Sequence, residues 1–163
     1  MKVGIISDIH DHREKLRKAL ALLQSADKLI CCGDLCSPFI MRDLGRGFPG
    51  TIHIVFGNND GDLFRLTEAA NEFEHIHLHG EVADIMIDGK RFAITHFDTI
   101  ARMITSQSAF DVVCFGHNHK YQVQLEGEML KINPGEIMGE LTGTATFVIY
   151  DTQTAEVTRY VID

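Results

Sequence analysis

Apolar residues fall in two rhythms along this chain. Short, nearly continuous runs alternate with stretches where they recur every three or four positions. The runs Lys2–Ile6, Lys28–Cys32 and Thr51–Phe56 read as buried strands. Between the first two, Leu16, Leu20 and Leu23 mark one face of a helix that runs to about Ser25. Asp11 stands in N-cap position with Glu14 three residues later, as in a capping box. Ser37-Pro38 reads as N-cap and first-turn proline of a short second helix, ended by Gly45 and Gly47. A third helix is expected from about Asp62 to Phe73. This β-α-β-α-β-α order predicts a mainly parallel sheet flanked by helices. In such sheets ligands sit outside the carboxyl ends of the strands.

The second half is richer in strands. His75, His77 and His79 alternate with Ile76 and Leu78, so they share one strand face, read here as a solvent-facing row. Glu81 to Ile87 and Arg91 to Ile94 flank the turn Asp88-Gly89, the signature of a hairpin. Asp98 to about Gln107 can form a helix, with Ile100, Met103 and Ile104 inward. Strands are expected at Asp111–Phe115, Tyr121–Glu126, Met129–Ile132, Gly143–Tyr150 and Ala155–Ile162. No linker, repeat or low-complexity segment divides the 163 residues, so one domain spanning 1–163 is expected.

Charge and cysteine content narrow the partners. A net charge of −8 argues against long nucleic acid, whose binding rests on many Lys and Arg contacts. A small anionic substrate remains compatible, because bound cations supply local positive charge. No apolar stretch is long enough to span a bilayer, and no signal-type run opens the chain. The four cysteines, Cys31, Cys32, Cys36 and Cys114, lack paired metal-ribbon spacing. A reduced cytoplasmic setting is the simplest expectation, and homo-oligomerisation stays open.

The strand ends carry the chemistry. Asp8 and His10 follow the first strand, Asp34 the second and Asn58 the third; His96 ends a later strand, and His117 and His119 follow the next. This set of carboxylates, imidazoles and one amide oxygen contains no thiolate. It suits borderline divalent ions such as Mn²⁺, Fe²⁺, Zn²⁺ or Ni²⁺. Seven ligands exceed the needs of one ion with an open position and match two ions sharing a bridging carboxylate. Two ions about 3.5–4 Å apart can clamp a phosphoryl group and activate a water. Gly33, Gly57 and Gly116 each precede a candidate ligand, where a missing Cβ permits a sharp exit from the strand.

In order, these motifs are Asp8-Ile9-His10, Gly33-Asp34, Gly57-Asn58-Asn59-Asp60, Thr95-His96 and Gly116-His117-Asn118-His119, with Asn133-Pro134-Gly135 later. The chain thereby resembles the calcineurin-like metallophosphoesterases, nearest the small prokaryotic phosphodiesterases of the YfcE type. The resemblance implies a four-layer α/β/β/α sandwich. It implies one metal held by Asp8, His10, Asp34 and His119, and a second held by Asp34, Asn58, His96 and His117, with Asp34 bridging. Mn²⁺ is the ion expected, with Ni²⁺, Fe²⁺, Zn²⁺ or Co²⁺ as alternatives. The implied reaction is phosphodiester hydrolysis by in-line attack of a bridging hydroxide, with Asp34, His117 and Asn59 in catalytic roles.

Two departures stand out. Many members have His where this chain has Asn59, which can donate a hydrogen bond but cannot deliver a proton at neutral pH. Many also carry His-Gly-His where this chain reads His96-Phe97-Asp98. Asp98 is read as the cap of the following helix in preference to an acceptor behind a ligand histidine. His12, Arg13, Asn59 and Asn118 are candidate substrate contacts; for His12 and Arg13 a surface role, and for Asn118 a loop-shaping role, are equal alternatives. A phosphomonoesterase is the nearest alternative activity. A non-catalytic interaction scaffold, as in the retromer complex, is the alternative class, but every ligand position is kept.

Overall fold

The computed structural model describes residues 1–106 and 109–163. In chain order the first half forms β1 (Lys2–Ile6), α1 (Arg13–Leu22), β2 (Lys28–Cys31), α2 (Pro38–Gly47), β3 (Thr51–Ile54), α3 (Leu63–Ala70) and β4 (Ile76–Leu78). The second half forms β5 (Val82–Ile87), β6 (Lys90–Thr95), α4 (Asp98–Thr105), β7 (Val112–Cys114), β8 (Gln122–Glu126), β9 (Met129–Asn133), β10 (Ala145–Asp151) and β11 (Val157–Ile162). The expected end of α4, Gln107, lies outside the described residues.

Two sheets face each other. The first has the order β11-β10-β1-β2-β3-β4 and the second β5-β6-β7-β9-β8. Strands β1 to β4 run parallel to one another, as the β-α-β pattern predicts, while β10 joins β1 antiparallel. Successive strand residues feed opposite layers. Leu29 and Cys31 pack under α1, α2 and α3 with Leu16, Leu44 and Leu66. Ile30 and Cys32 point the other way and meet Phe92, Val112 and Tyr150 between the sheets. Ala93, Val113 and Phe115 pack with Ala101 of α4 on the far side. The layers are therefore α/β/β/α, as expected.

The turn at Asp88-Gly89 has φ values of 51° and 77°, the left-handed pair that a tight hairpin requires. Several local expectations are corrected. Asp11 does not cap α1. It lies at φ 58°, and its carboxylate accepts the Ser37 hydroxyl. His12 takes the cap instead, with Nδ1 accepting from the Lys15 amide at 3.4 Å. The helix itself stops at Leu22, and a 3₁₀ turn continues to Ser25. Ser37 does precede α2, but its side chain makes no cap bond, being turned to Asp11. Gly45 lies inside α2 rather than ending it, since a Cβ there would collide with the Phe73 ring.

Asp98 is the first residue of α4, not its cap, and pairs with Arg102 one turn on at 3.7 Å. The histidine row is not simply solvent-facing. His77 is exposed, whereas His75 and His79 are half-buried. His53 of β3 joins them, 3.0 Å from His79 through ring nitrogens and stacked on His77. The alternation placed these side chains on one strand face but could not show that a neighbouring strand adds a fourth imidazole.

Candidate metal centre

The parallel strands and β6 and β7 all end at one rim, and the seven expected ligands converge there. Asp8 Oδ1 lies 3.4 Å from His119 Nε2 and 3.8 Å from His10 Nε2. Asp34 Oδ2 lies 3.4 Å from both His10 Nε2 and His96 Nε2. Asn58 Oδ1 is 3.1 Å from His96 Nε2 and 2.9 Å from His117 Nδ1. His117 Nδ1 and His96 Nε2 are 3.3 Å apart. Two triplets, Asp8-His10-His119 and Asp8-Asp34-His96, each have ligand atoms within 4.8 Å of one another.

The backbone is bent to achieve this. Asp8, His10, Asp34, His117 and His119 all have φ between 45° and 69°, a region that costs a non-glycine residue energy. Such strain persists only where the surroundings enforce it. Asp60 supplies much of that enforcement at Asp34. Its buried carboxylate accepts four backbone amides, from Asp34, Leu35, Cys36 and Gly57, at 2.7–2.9 Å. Asn133 does the same for the histidine loop, donating to Gly116 O and Asn118 Oδ1 at 3.0 Å each. Gly116 must lack a side chain, because a Cβ would sit 2.7 Å from an Asp8 carboxylate oxygen.

Hydrogen bonds behind the ligands fix which nitrogen faces the centre. His96 Nδ1 donates to the Cys32 carbonyl at 2.8 Å, leaving Nε2 forward. His119 Nδ1 donates to Glu136 Oε2 at 2.7 Å, leaving Nε2 toward Asp8. Cys36 Sγ stands 3.7 Å from His10 Nδ1. Phe97 packs its ring 5.2 Å from that of His96 and 5.4 Å from that of His117.

The electrostatics favour a cation. Burial would raise the Asp34 carboxyl, but hydrogen bonds involving His96 and Asn59 hold it well below the usual carboxylate range. The Asp8 carboxylate, 3.8 Å from its Nε2, raises His10, helped by the charge of Asp34. Burial pulls His96 down, yet Asp34 and Asp8 raise it overall. Among the described residues, Asp8 Oδ1 and His10 Nε2 are buried with no hydrogen-bond partner. An orphaned acceptor and an orphaned ring nitrogen, aimed at one another across 3.8 Å, fit a metal ion as their missing partner.

The expected substrate contacts fare unevenly. Asn59 donates to both Asp34 oxygens, through its backbone at 2.9 Å and its side chain at 2.8 Å. The Arg13 guanidinium forks onto Asp43 at 2.7 and 2.9 Å. Asn118 Oδ1 accepts from Lys120 N and Asn133 Nδ2, so it shapes its own loop. Two supporting residues, Asp60 and Glu136, escaped the sequence reading of roles. Asp60 lay in a quoted motif and Glu136 directly follows Asn133-Pro134-Gly135, but only the fold reveals their partners.

Two facing sheets with helices outside, and a rim of carboxylates and imidazoles at their strand ends, define a phosphoesterase-type sandwich. Comparison with known proteins gives the family. The model of the calcineurin-like phosphoesterase superfamily domain matches residues 1–155, and the chain belongs to that superfamily. It is 33% identical to phosphodiesterase MJ0936 of Methanocaldococcus jannaschii, over all of both chains. A solved archaeal phosphodiesterase, 33% identical, superposes with a TM-score of 0.93 over 99% of this chain and 100% of that one. The fold is shared more distantly by the Escherichia coli phosphoesterase YfcE, at a TM-score of 0.68, 18% identity and full coverage of both chains. It is shared as well by vacuolar protein sorting 29 of Cryptosporidium parvum, at 0.69, 17% identity and coverage of 98% and 95%.

Proposed function

We propose that this chain is a dinuclear-metal phosphodiesterase acting on small diesters, folded as one catalytic domain. One observation carries the reading: Asp34 Oδ2 stands 3.4 Å from a ring nitrogen of His10 on one side and of His96 on the other. This position between two imidazoles supports reading Asp34 as a ligand shared between two ions. Asp8, His10, Asp34 and His119 would hold one; Asp34, Asn58, His96 and His117 would hold the other. Mn²⁺ is the ion we favour, in keeping with an oxygen- and imidazole-rich set. Two such ions would supply charge neutralisation at a phosphoryl group and an activated water.

The chain's own residues do the positioning. Asp34 is held ionised and fixed by Asn59. The Asn59 side-chain amide, which gives one N–H to Asp34, would offer its other to a leaving oxygen, a hydrogen bond and no proton. His117 sits exposed at the edge of the cluster with Nδ1 turned to Asn58 and His96. Asn118 lies between His117 and His119, whereas His12 caps α1 and turns its Nε2 to Glu140 at 3.9 Å. Arg13 is the least available of the expected contacts, because Asp43 fills its fork. The three cysteines in or beside the strands are buried thiols, and burial pushes all three up, which suits a reducing, cytoplasmic setting.

The test is to purify the protein with Mn²⁺ and compare bis-p-nitrophenyl phosphate with p-nitrophenyl phosphate. Faster cleavage of the diester supports the reading. Faster cleavage of the monoester replaces it with a phosphomonoesterase. Two bound metals and no turnover with any divalent ion replace it with a scaffold.

A further inference from the structure

A cavity of about 280 Å³ opens directly beyond His119, lined by Lys120, Tyr121, Arg159 and threonine hydroxyls. No acidic side chain lines it. That is unusual in this molecule, where 23 acidic residues outnumber 15 Lys and Arg. Most of its arginines are consumed by that excess. Arg13, Arg17, Arg42, Arg65, Arg91 and Arg102 each lie within 4.0 Å of a carboxylate. Lys120 and Arg159 form no ion pair among the described residues. Instead the Arg159 guanidinium lies 4.5 Å from the centre of the Tyr121 ring, which holds its fork across the seam between β11 and the start of β8.

Two cations lining one cavity without a carboxylate partner make a local positive field in a protein of net charge −8. The fork of Arg159, the point charge of Lys120 and the hydroxyl of Thr144 suit a tetrahedral dianion; the Thr142 hydroxyl is already given to Glu136. The cavity shares His119 with the metal centre. A group bound in it would therefore belong to the same molecule whose phosphodiester lies at the centre.

We propose that this cavity is a subsite for a second, terminal phosphate, so that the preferred substrates are phosphodiesters of an alcohol that is itself phosphorylated. The proposal rests on the phosphodiesterase reading and adds its substrate class.

The test uses the full chain loaded with Mn²⁺ and p-nitrophenyl alkyl phosphates of ethyl, propyl and butyl length. Each is made with a terminal phosphate, a terminal carboxylate or a plain methyl end. The expected result, at one chain length or more, is a kcat/KM at least about tenfold higher for the phosphate end than for the methyl end. In the double variant Lys120→Gln/Arg159→Gln that preference should vanish, with the methyl-ended diester still cleaved within about twofold of the parent rate. Both residues are exposed, and Arg159→Lys should retain part of the preference by keeping the charge without the fork. Equal rates for all three ends, a preference for the carboxylate end, or a phosphate preference that survives the double variant each overturn the subsite alone. No turnover of any diester overturns the phosphodiesterase reading and the subsite together.

Discussion

Glu136 accepts a hydrogen bond from His119 Nδ1 at 2.7 Å and is itself completely buried. Its other oxygen accepts both the amide and the hydroxyl of Thr142 at 2.7 Å. Burial would raise this carboxyl, but the Thr142 bonds and His119 lower it overall. An ionised acceptor at Nδ1 keeps the lone pair of His119 on Nε2, facing Asp8. We expect Glu136→Gln to leave the fold intact and to weaken metal binding about 10–100-fold, the range for such supporting partners. Titration calorimetry with Mn²⁺ checks it. An affinity equal to the parent would show that His119 needs no help in choosing its tautomer.

Asp34 touches both halves of the cluster, whereas His10 touches one. Asp34→Asn is therefore expected to abolish activity and reduce the number of bound ions by more than His10→Ala does. Metal content by elemental analysis, read beside kcat, separates the two. Equal residual activity in both variants would count against a shared ligand.

Asp60 never reaches the cluster's centre but ties down the loop that presents Asp34, through four backbone amides. Removing its carboxylate leaves those donors without partners. Unsatisfied buried groups cost about 1–3 kcal/mol apiece, so Asp60→Ala should destabilise the chain by at least about 3 kcal/mol. Urea unfolding of the metal-free protein measures this directly. Because Asp34 is held by the same amides, metal binding should fall in parallel, even in conditions where the variant remains folded.

The residues that converge at the rim were legible in sequence because each follows a recognisable apolar run, and the parallel strands followed from β-α alternation, whereas the four-layer order came from the family resemblance. What failed was local and polar. Asp11 had the right chemistry for a cap, but its partner Ser37 lies on another segment, and propensity carries no information about that rival. Asp98 failed for a related reason: Phe97 occupies the cap position so that its ring can pack on His96 and His117. Gly45 looked like a helix end until Phe73 was seen to need its space. Glu136 and Asp60 act through contacts 17 and 26 residues away, which no spacing rule anticipates.

The His53 cluster gives the chain an acid-sensitive seam. His53 pairs with His79 and stacks on His77 where β3 and β4 run side by side, and Lys28 of β2 adds a positive charge. Burial, the two neighbouring imidazoles and Lys28 push His53 down to about 4. Burial and His77 lower His79 as well. In the unfolded chain both titrate near the ordinary histidine value of about 6.5. Between those values the unfolded state binds protons that the folded state refuses, so stability falls as pH falls from about 6.5 to about 4 and is fully regained above 6.5. His53→Gln should flatten the dependence of Tm on pH across that window while leaving the dependence above pH 7 unchanged. Melting curves of parent and variant at half-unit steps from pH 4 to 8 supply the comparison. Parallel curves would mean that the seam opens easily enough to let the proton in.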